Sequence, residues 1–528
     1  MELSSSVRAA ALATVACLAA LTGCAVGPNF HRPVPPRDAD YGSAPARGVT
    51  AASPVAAGSA QELLADMDIP GEWWTLFQSP KLTALVRQAL AGNPTVAAAH
   101  AALREAQDLY KAQRASLLPT VQGAFDAQRA RNPLDTLANP TSLPQVNPYY
   151  NLFTAQLTLS YMPDVFGGIR RSLEATRAGV ESTRFELIAS YITLSSNVVT
   201  TAVQEAGLRG QIEATERLLA IQHALTDTVQ HQHEIGTAST ADLLAQQAAE
   251  AQTAATLPPL TRQLGQTRDA LTALLGRLPA AEPSETFRLA DLTLPDKLPA
   301  SLPSRLIEQR PDVRQAEENL HAASAAVGVA LADMLPQFTI SADIGSAALE
   351  ISQLFKAGSG FWSVGASLTQ TLFDSGALLY RHRAADDALD AAAAQYRATV
   401  ILACQNVADT LRALQADAAA LAASDAAERA ARASFELARR QHELGTASLV
   451  TLLGAEQTWR QAEVALVQAQ ANRYADTAGL FQALGGARDQ QALHSLHRLL
   501  ERRRVTDPDA LRCGRAHLPA SRCGRRAR

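Results

Sequence analysis

The sequence predicts a mixed α and transmembrane β-barrel fold, in which long antiparallel helical hairpins carry short membrane strands that one chain cannot close alone. Three observations predict it. Nearly the same octapeptide is written twice, QHEIGTAS at 232–239 and QHELGTAS at 441–448. Proline is absent from 164–257 and from 337–507, which permits very long helices, because an interior proline costs about 3 kcal/mol. Elsewhere, short segments alternate strictly between apolar and polar residues, the period-two mark of a strand with two different faces. Aromatic residues make up only 5% of the 528, while alanine and glutamine fill long stretches. That composition suits helices packed closely over narrow seams better than a thick globular core.

The chain begins with a pattern of export. Arg8 precedes the apolar run Ala9–Ala20, which is shorter than the roughly 18–20 residues a membrane-spanning helix needs. Residues 1–23 therefore read as a signal peptide. The run ends in Leu21-Thr22-Gly23-Cys24, which resembles a bacterial lipoprotein box with Cys24 as the lipidated residue. Several acyl chains anchor stably, since each buried methylene contributes about 0.8 kcal/mol. Ala25 follows the cysteine, so the aspartate associated with inner-membrane retention is absent and the outer membrane is expected. Residues 24–79 form the lipidated N-terminal segment.

The body reads as two copies of one plan, 80–290 and 291–486. Asn93-Pro94 opens a helical stretch ending at Leu118-Pro119, and Arg310-Pro311 opens another ending at Leu335-Pro336. Gly276 and Gly485 close corresponding helices, and tandem duplication accounts for the shared spacing. FTAQLTLSY (153–161), QFTISADI (337–344) and WSVGASLTQT (362–371) alternate, with 120–128 a weaker fourth strand. Their lengths suit a bilayer crossing. Lipid leaves no partner for an open strand edge, so the sheet has to close, and bacterial barrels start at about eight strands. Four strands per chain therefore require two or three copies. Ile169–Glu234 and Ala377–Glu443 read as helices roughly 100 Å long at about 1.5 Å per residue. Gly236 and Gly445 then end each helix in a left-handed turn, and Ser239 and Ser448 cap the next, with Asp242 completing a near capping box. Each octapeptide is thus the tip of a hairpin.

Together these residues resemble the TolC-type outer-membrane factors of efflux pumps, in the OprM/NodT-like lipoprotein branch. The resemblance runs through CAVGPNFHRP (24–33), WWTLFQSPKLTALVRQALAGNP (73–94), MPDVFGGIRR (162–171), IEQRPDVRQAEENL (307–320), LPQFTISADIG (335–345) and LTQTLFDSG (368–376). It implies a homotrimer with a 12-stranded barrel in the outer membrane above a 12-helix α-barrel reaching into the periplasm. It also implies a passive conduit for small molecules, served by a periplasmic adaptor and an inner-membrane transporter of the RND type. The adaptor would dock at Gly236, Thr237, Ala238, Ser239 and at Gly445, Thr446, Ala447, Ser448. The family often sets an acidic ring just after the second tip. Here LVTLLGAEQ (449–457) places Gly454 where aspartate is expected, leaving Asp242 and Glu456 as candidate gate acids.

Other chemistries find little support. His231 and His233, beside Glu234, point to different faces of a helix and make a poor metal chelate. His233 is repeated as His442, which suggests a structural or docking role near the tip. Trp73 and Trp74 are expected to pack on the helices. No phosphate loop, zinc spacing or nucleophile elbow appears, so neither enzyme nor cofactor is expected. A non-pore coiled-coil scaffold has no use for alternating strands, whereas a type I protein-secretion conduit remains a competitor within the channel class. Residues 487–528 hold eleven arginines against four acidic residues; they read as a disordered basic tail, and export argues against a nucleic-acid partner.

Overall fold

The computed structural model describes residues 25–35, 48–64, 67–131, 149–300 and 303–486. The signal peptide, Cys24 and the basic tail lie outside these residues. The strands are β1 (Gly48–Val49), β2 (Glu62–Leu64), β3 (Thr120–Arg131), β4 (Tyr149–Tyr161), β5 (Lys297–Pro299), β6 (Gln337–Ala348) and β7 (Gly360–Thr369). The α-helices are α1 (Pro80–Gly92), α2 (Pro94–Ala115), α3 (Gly168–Glu234), α4 (Thr240–Ala254) and α5 (Leu257–Leu274) in the first half. They continue as α6 (Pro303–Gln309), α7 (Pro311–Asp333), α8 (Ala377–Glu443) and α9 (Leu449–Ala483). The chain divides into two compact units: 1–34, 100–186 and 312–399 form the first, and the remaining segments form the second.

The first unit is built on one antiparallel sheet in the order β3-β4-β6-β7. All four alternating segments of the sequence are strands of it. Register puts Gly123, Leu157, Ile344 and Trp362 in one row, and Val121, Leu159, Ala342 and Val364 in another, on the same face. Leu157, Ile344, Trp362 and Val364 are exposed there. The opposite face carries Gln122, Thr158, Asp343 and Ser363 in a row. Asp343 binds that row together, accepting from Thr158 Oγ1 at 2.7 Å and from Ser363 Oγ at 3.1 Å. A strap from Ala25 onward is clamped to the helices of this unit. Buried Arg171 donates to the Val26 carbonyl at 3.0 Å and to the Asn29 side chain at 2.8 Å. Phe30 stacks on His321 at 4.3 Å, and Arg32 pairs with Glu317 at 2.6 Å.

The second unit holds the β1-β2-β5 sheet and the hairpins. Its core contains an aromatic cluster: Trp73 stacks on Phe481 at 5.0 Å, with Phe77 and Tyr474 alongside. The Tyr474 hydroxyl donates to the Leu292 carbonyl at 2.7 Å, and burial raises its pKa to about 12. Along α3, Val198, Val199, Ala202, Val203 and Ala206 are buried at helical spacing, forming a seam. Close approach is set by small residues. A Cβ on Gly207 would lie 2.7 Å from the Ala471 methyl, and one on Gly210 would lie 2.8 Å from Val467.

The two return arms end alike. Gly276 ends the first return arm against Gly92, and Gly485 ends the second against Arg310, both at positive φ. At each of these ends the residue before the next helix-opening proline caps an orphan carbonyl of the arriving helix. Asn93 Nδ2 donates to Leu274 O at 2.9 Å, and Arg310 Nη1 to Ala483 O at 2.6 Å. The arms themselves differ. α9 is continuous, whereas the first return arm breaks into α4 and α5 at Ala255–Thr256. Pro258 and Pro259 stand in the opening turn of α5, where proline is tolerated because its missing N–H has no helical partner.

Candidate functional site: the two hairpin tips

Both octapeptides fold into the same turn, and nearly every residue in it has an assignable structural task. α3 ends at Glu234 and α8 at Glu443. Gly236 and Gly445 follow at φ +79° and +72°. A Cβ at either glycine would meet nothing within 4 Å, so glycine is needed for its backbone and not for space. The Gln232 carbonyl accepts from the N–H of Thr237 at 2.8 Å, the N–H of Ala238 at 3.1 Å and the Thr237 hydroxyl at 2.9 Å. The Gln441 carbonyl accepts the corresponding three, at 2.8, 3.2 and 2.9 Å. His233 Nδ1 donates across the turn to Ala238 O at 3.1 Å, and His442 Nδ1 to Ala447 O at 3.0 Å. These histidines are staples. The repeated histidine was visible in the sequence, but its backbone partner five residues on was not.

The outgoing helices are capped differently. Ser239 Oγ accepts from the Asp242 N–H at 3.2 Å, and the Asp242 carboxylate accepts from the Ser239 N–H at 3.1 Å and its hydroxyl at 2.7 Å. This is a full capping box. The Ser239 hydroxyl, and then its N–H, hold the Asp242 pKa below its ordinary value. At the second tip Ser448 Oγ accepts from the Thr451 N–H at 3.1 Å and contacts the Thr451 hydroxyl at 2.9 Å, so that cap contains no acid. Glu456 is half-buried and paired with Arg460 at 3.4 Å. No hydrogen bond or ion pair joins Asp242 to Glu456 among the described residues. Each candidate gate acid therefore already has a local partner.

What the turns leave unused is apolar. Ile235 and Leu444 fill the same position in the two octapeptides and are 61% and 78% exposed. In the sequence they are marked only by an isoleucine/leucine pair standing where the turn needs no side chain.

The family profile for the outer membrane efflux protein matches residues 85–277 and 302–486. The chain belongs to the outer membrane efflux protein family. That family is one of efflux channels and not of enzymes. The chain is 30% identical over 422 residues to the pyoverdine export outer membrane protein OpmQ of Pseudomonas putida, covering 78% of this chain and 87% of that protein. It is 29% identical over 470 residues to the solvent efflux pump outer membrane protein SrpC of Pseudomonas putida, covering 88% and 96%. Among solved structures, the outer-membrane channel OprN superposes with a TM-score of 0.75 at 27% identity, covering 88% of this chain and 99% of that one. This efflux protein thus has the TolC-like fold that the sequence implied and works at the outer membrane.

Proposed function

We propose that this efflux protein is the passive outer-membrane channel of a three-component pump, assembled as a homotrimer whose twelve strands close one barrel. The four-stranded sheet carries the proposal. It is apolar on one face and polar on the other, and it ends in two edges, β3 and β7, without strand partners among the described residues. In lipid such edges have to be paired, and three copies joined β3 to β7 would pair all of them. The apolar rows then face lipid and the Asp343 row faces the lumen. Cys24 carries the lipid anchor. The tips at Gly236–Ser239 and Gly445–Ser448 dock a periplasmic adaptor, which links the channel to an energised inner-membrane transporter of the RND type.

The cargo is small molecules, the reading favoured by relatives named for pyoverdine export and solvent efflux. The test combines native mass spectrometry of the detergent-extracted protein with conductance in planar bilayers. A mass of three chains and discrete channel steps are expected. A silent monomer would sink the proposal in favour of a non-pore scaffold. Export of a polypeptide in a reconstituted system, with no effect of deletion on small-molecule tolerance, would favour a protein-secretion conduit.

A further inference from the structure

In the second unit, far in sequence from both tips, α8 and α9 bring two acids face to face. The carboxyl of Asp476 lies within hydrogen-bonding reach of Asp417. Asp417 Oδ2 is buried and has no hydrogen-bond donor in the structure. Beside the pair lies Arg473, whose side chain is wholly buried. An arginine there would ordinarily neutralise one acid, but its fork is turned elsewhere. Its Nη2 donates to Thr50 Oγ1 at 2.9 Å and to Ser59 O at 2.8 Å, and its Nη1 reaches Ala51 O at 3.4 Å. Its Nε has no partner. The arginine therefore serves the Thr50 hydroxyl and two carbonyls of residues 50–59, a stretch with no charged side chain, and donates no hydrogen bond to either acid.

Two facing carboxylates, one with an orphaned buried oxygen, cannot both be ionised cheaply, and a proton placed between them supplies the missing donor. We propose that Asp417 and Asp476 together form a proton-binding site, a single shared proton pinning α8 to α9. Of the other buried acids in this unit, Asp425 on α8 is held by Ser53 and Arg429, and Glu205 on α3 is held through Oε1 by Arg209 at 2.8 Å and Arg268 at 2.7 Å, its Oε2 having no hydrogen-bond partner. Burial first, and then the hydrogen bond and charge of Asp476, raise the Asp417 pKa to about 7 against the Coulombic pull of Arg473.

The sign follows from linkage. The pinned state holds a proton that separated carboxyls release near pH 4. The pin is therefore complete below that pH, weakens as pH rises, and is lost on passing about 7. Opening of the helix pair gains up to about tenfold per pH unit across that window and levels off above it.

Infrared spectroscopy of the full-length protein in lipid nanodiscs tests the site without requiring conduction. Wild type is expected to have a protonated-carboxyl carbonyl band at pH 6 that vanishes by pH 8.5. That titrating band should be missing from both Asp417→Asn and Asp476→Asn, because the amide supplies the donor permanently. Hydrogen exchange of α8 and α9, corrected for intrinsic rates, should lose protection with rising pH in wild type and stay flat in Asp417→Asn. A titrating band that survives in both variants, its absence from wild type, or equal pH slopes in wild type and variant would overturn the proposal.

Discussion

At the scale of single residues, the tips separate what a turn requires from what it leaves over. Gly236 requires its backbone alone, so Gly236→Ala should strain the turn by about 1–2 kcal/mol, while Gly236→Asn, whose side chain tolerates the left-handed region, should be milder. Hydrogen exchange at residues 232–242 checks this, and equal protection in the two variants would count against it. The caps predict a difference between the tips. Asp242, held low by its partners in the capping box, contributes stability that is present above its unfolded pKa and lost as pH falls through the folded one. The second cap relies on Thr451, which does not titrate in that range. Acid exchange conditions should therefore loosen 239–245 and spare 448–454. Parallel loosening of both tips would contradict the assignment.

At the scale of elements, the α3–α9 seam is tight enough to test by compensation. Gly207→Ala places a methyl against Ala471, and overpacking of this kind typically costs about 1–3 kcal/mol. Ala471→Gly in the same chain should restore most of the lost thermal stability measured by circular dichroism. No recovery would mean that the seam is not limited by that contact. Much at this scale was legible in the sequence. The long helices begin and end within one residue of the expected 169–234 and 377–443, because proline scarcity and the Gly-Thr-Ala-Ser break are local signals. The strands were legible because alternation is local too. Clusters made between distant segments were not. Arg473 meets residues 50–59, Arg171 wraps Val26 and Asn29, and Asp417 finds Asp476 across a hairpin, and no periodicity marks such partners. The break in the first return arm was half legible: Pro258 and Pro259 were plain, but whether they would end a helix or open one depended on the packing around them.

At the scale of the whole molecule, the acids near the tips set an expectation for conduction. Asp242 has its Oδ2 tied to Ser239 although the cap keeps it ionised, and Glu456 is paired with Arg460, so only Asp242 brings an unneutralised negative charge to those positions. Planar-bilayer recordings should find weak block by multivalent cations. Strong block of wild type, lost when Asp242→Ala and Glu456→Ala are combined, would prove these acids to be the ring after all. The sheet of the first unit carries a different consequence, for the order of events. Placed in the bilayer as proposed, a solitary copy would present the open borders of β3 and β7 to hydrocarbon, each unmet group costing several kcal/mol. Companions on both sides remove that penalty at once. In the proposed trimer, partnership therefore precedes or accompanies entry into the bilayer, and a single subunit waiting alone in the lipid is the one intermediate that assembly forbids.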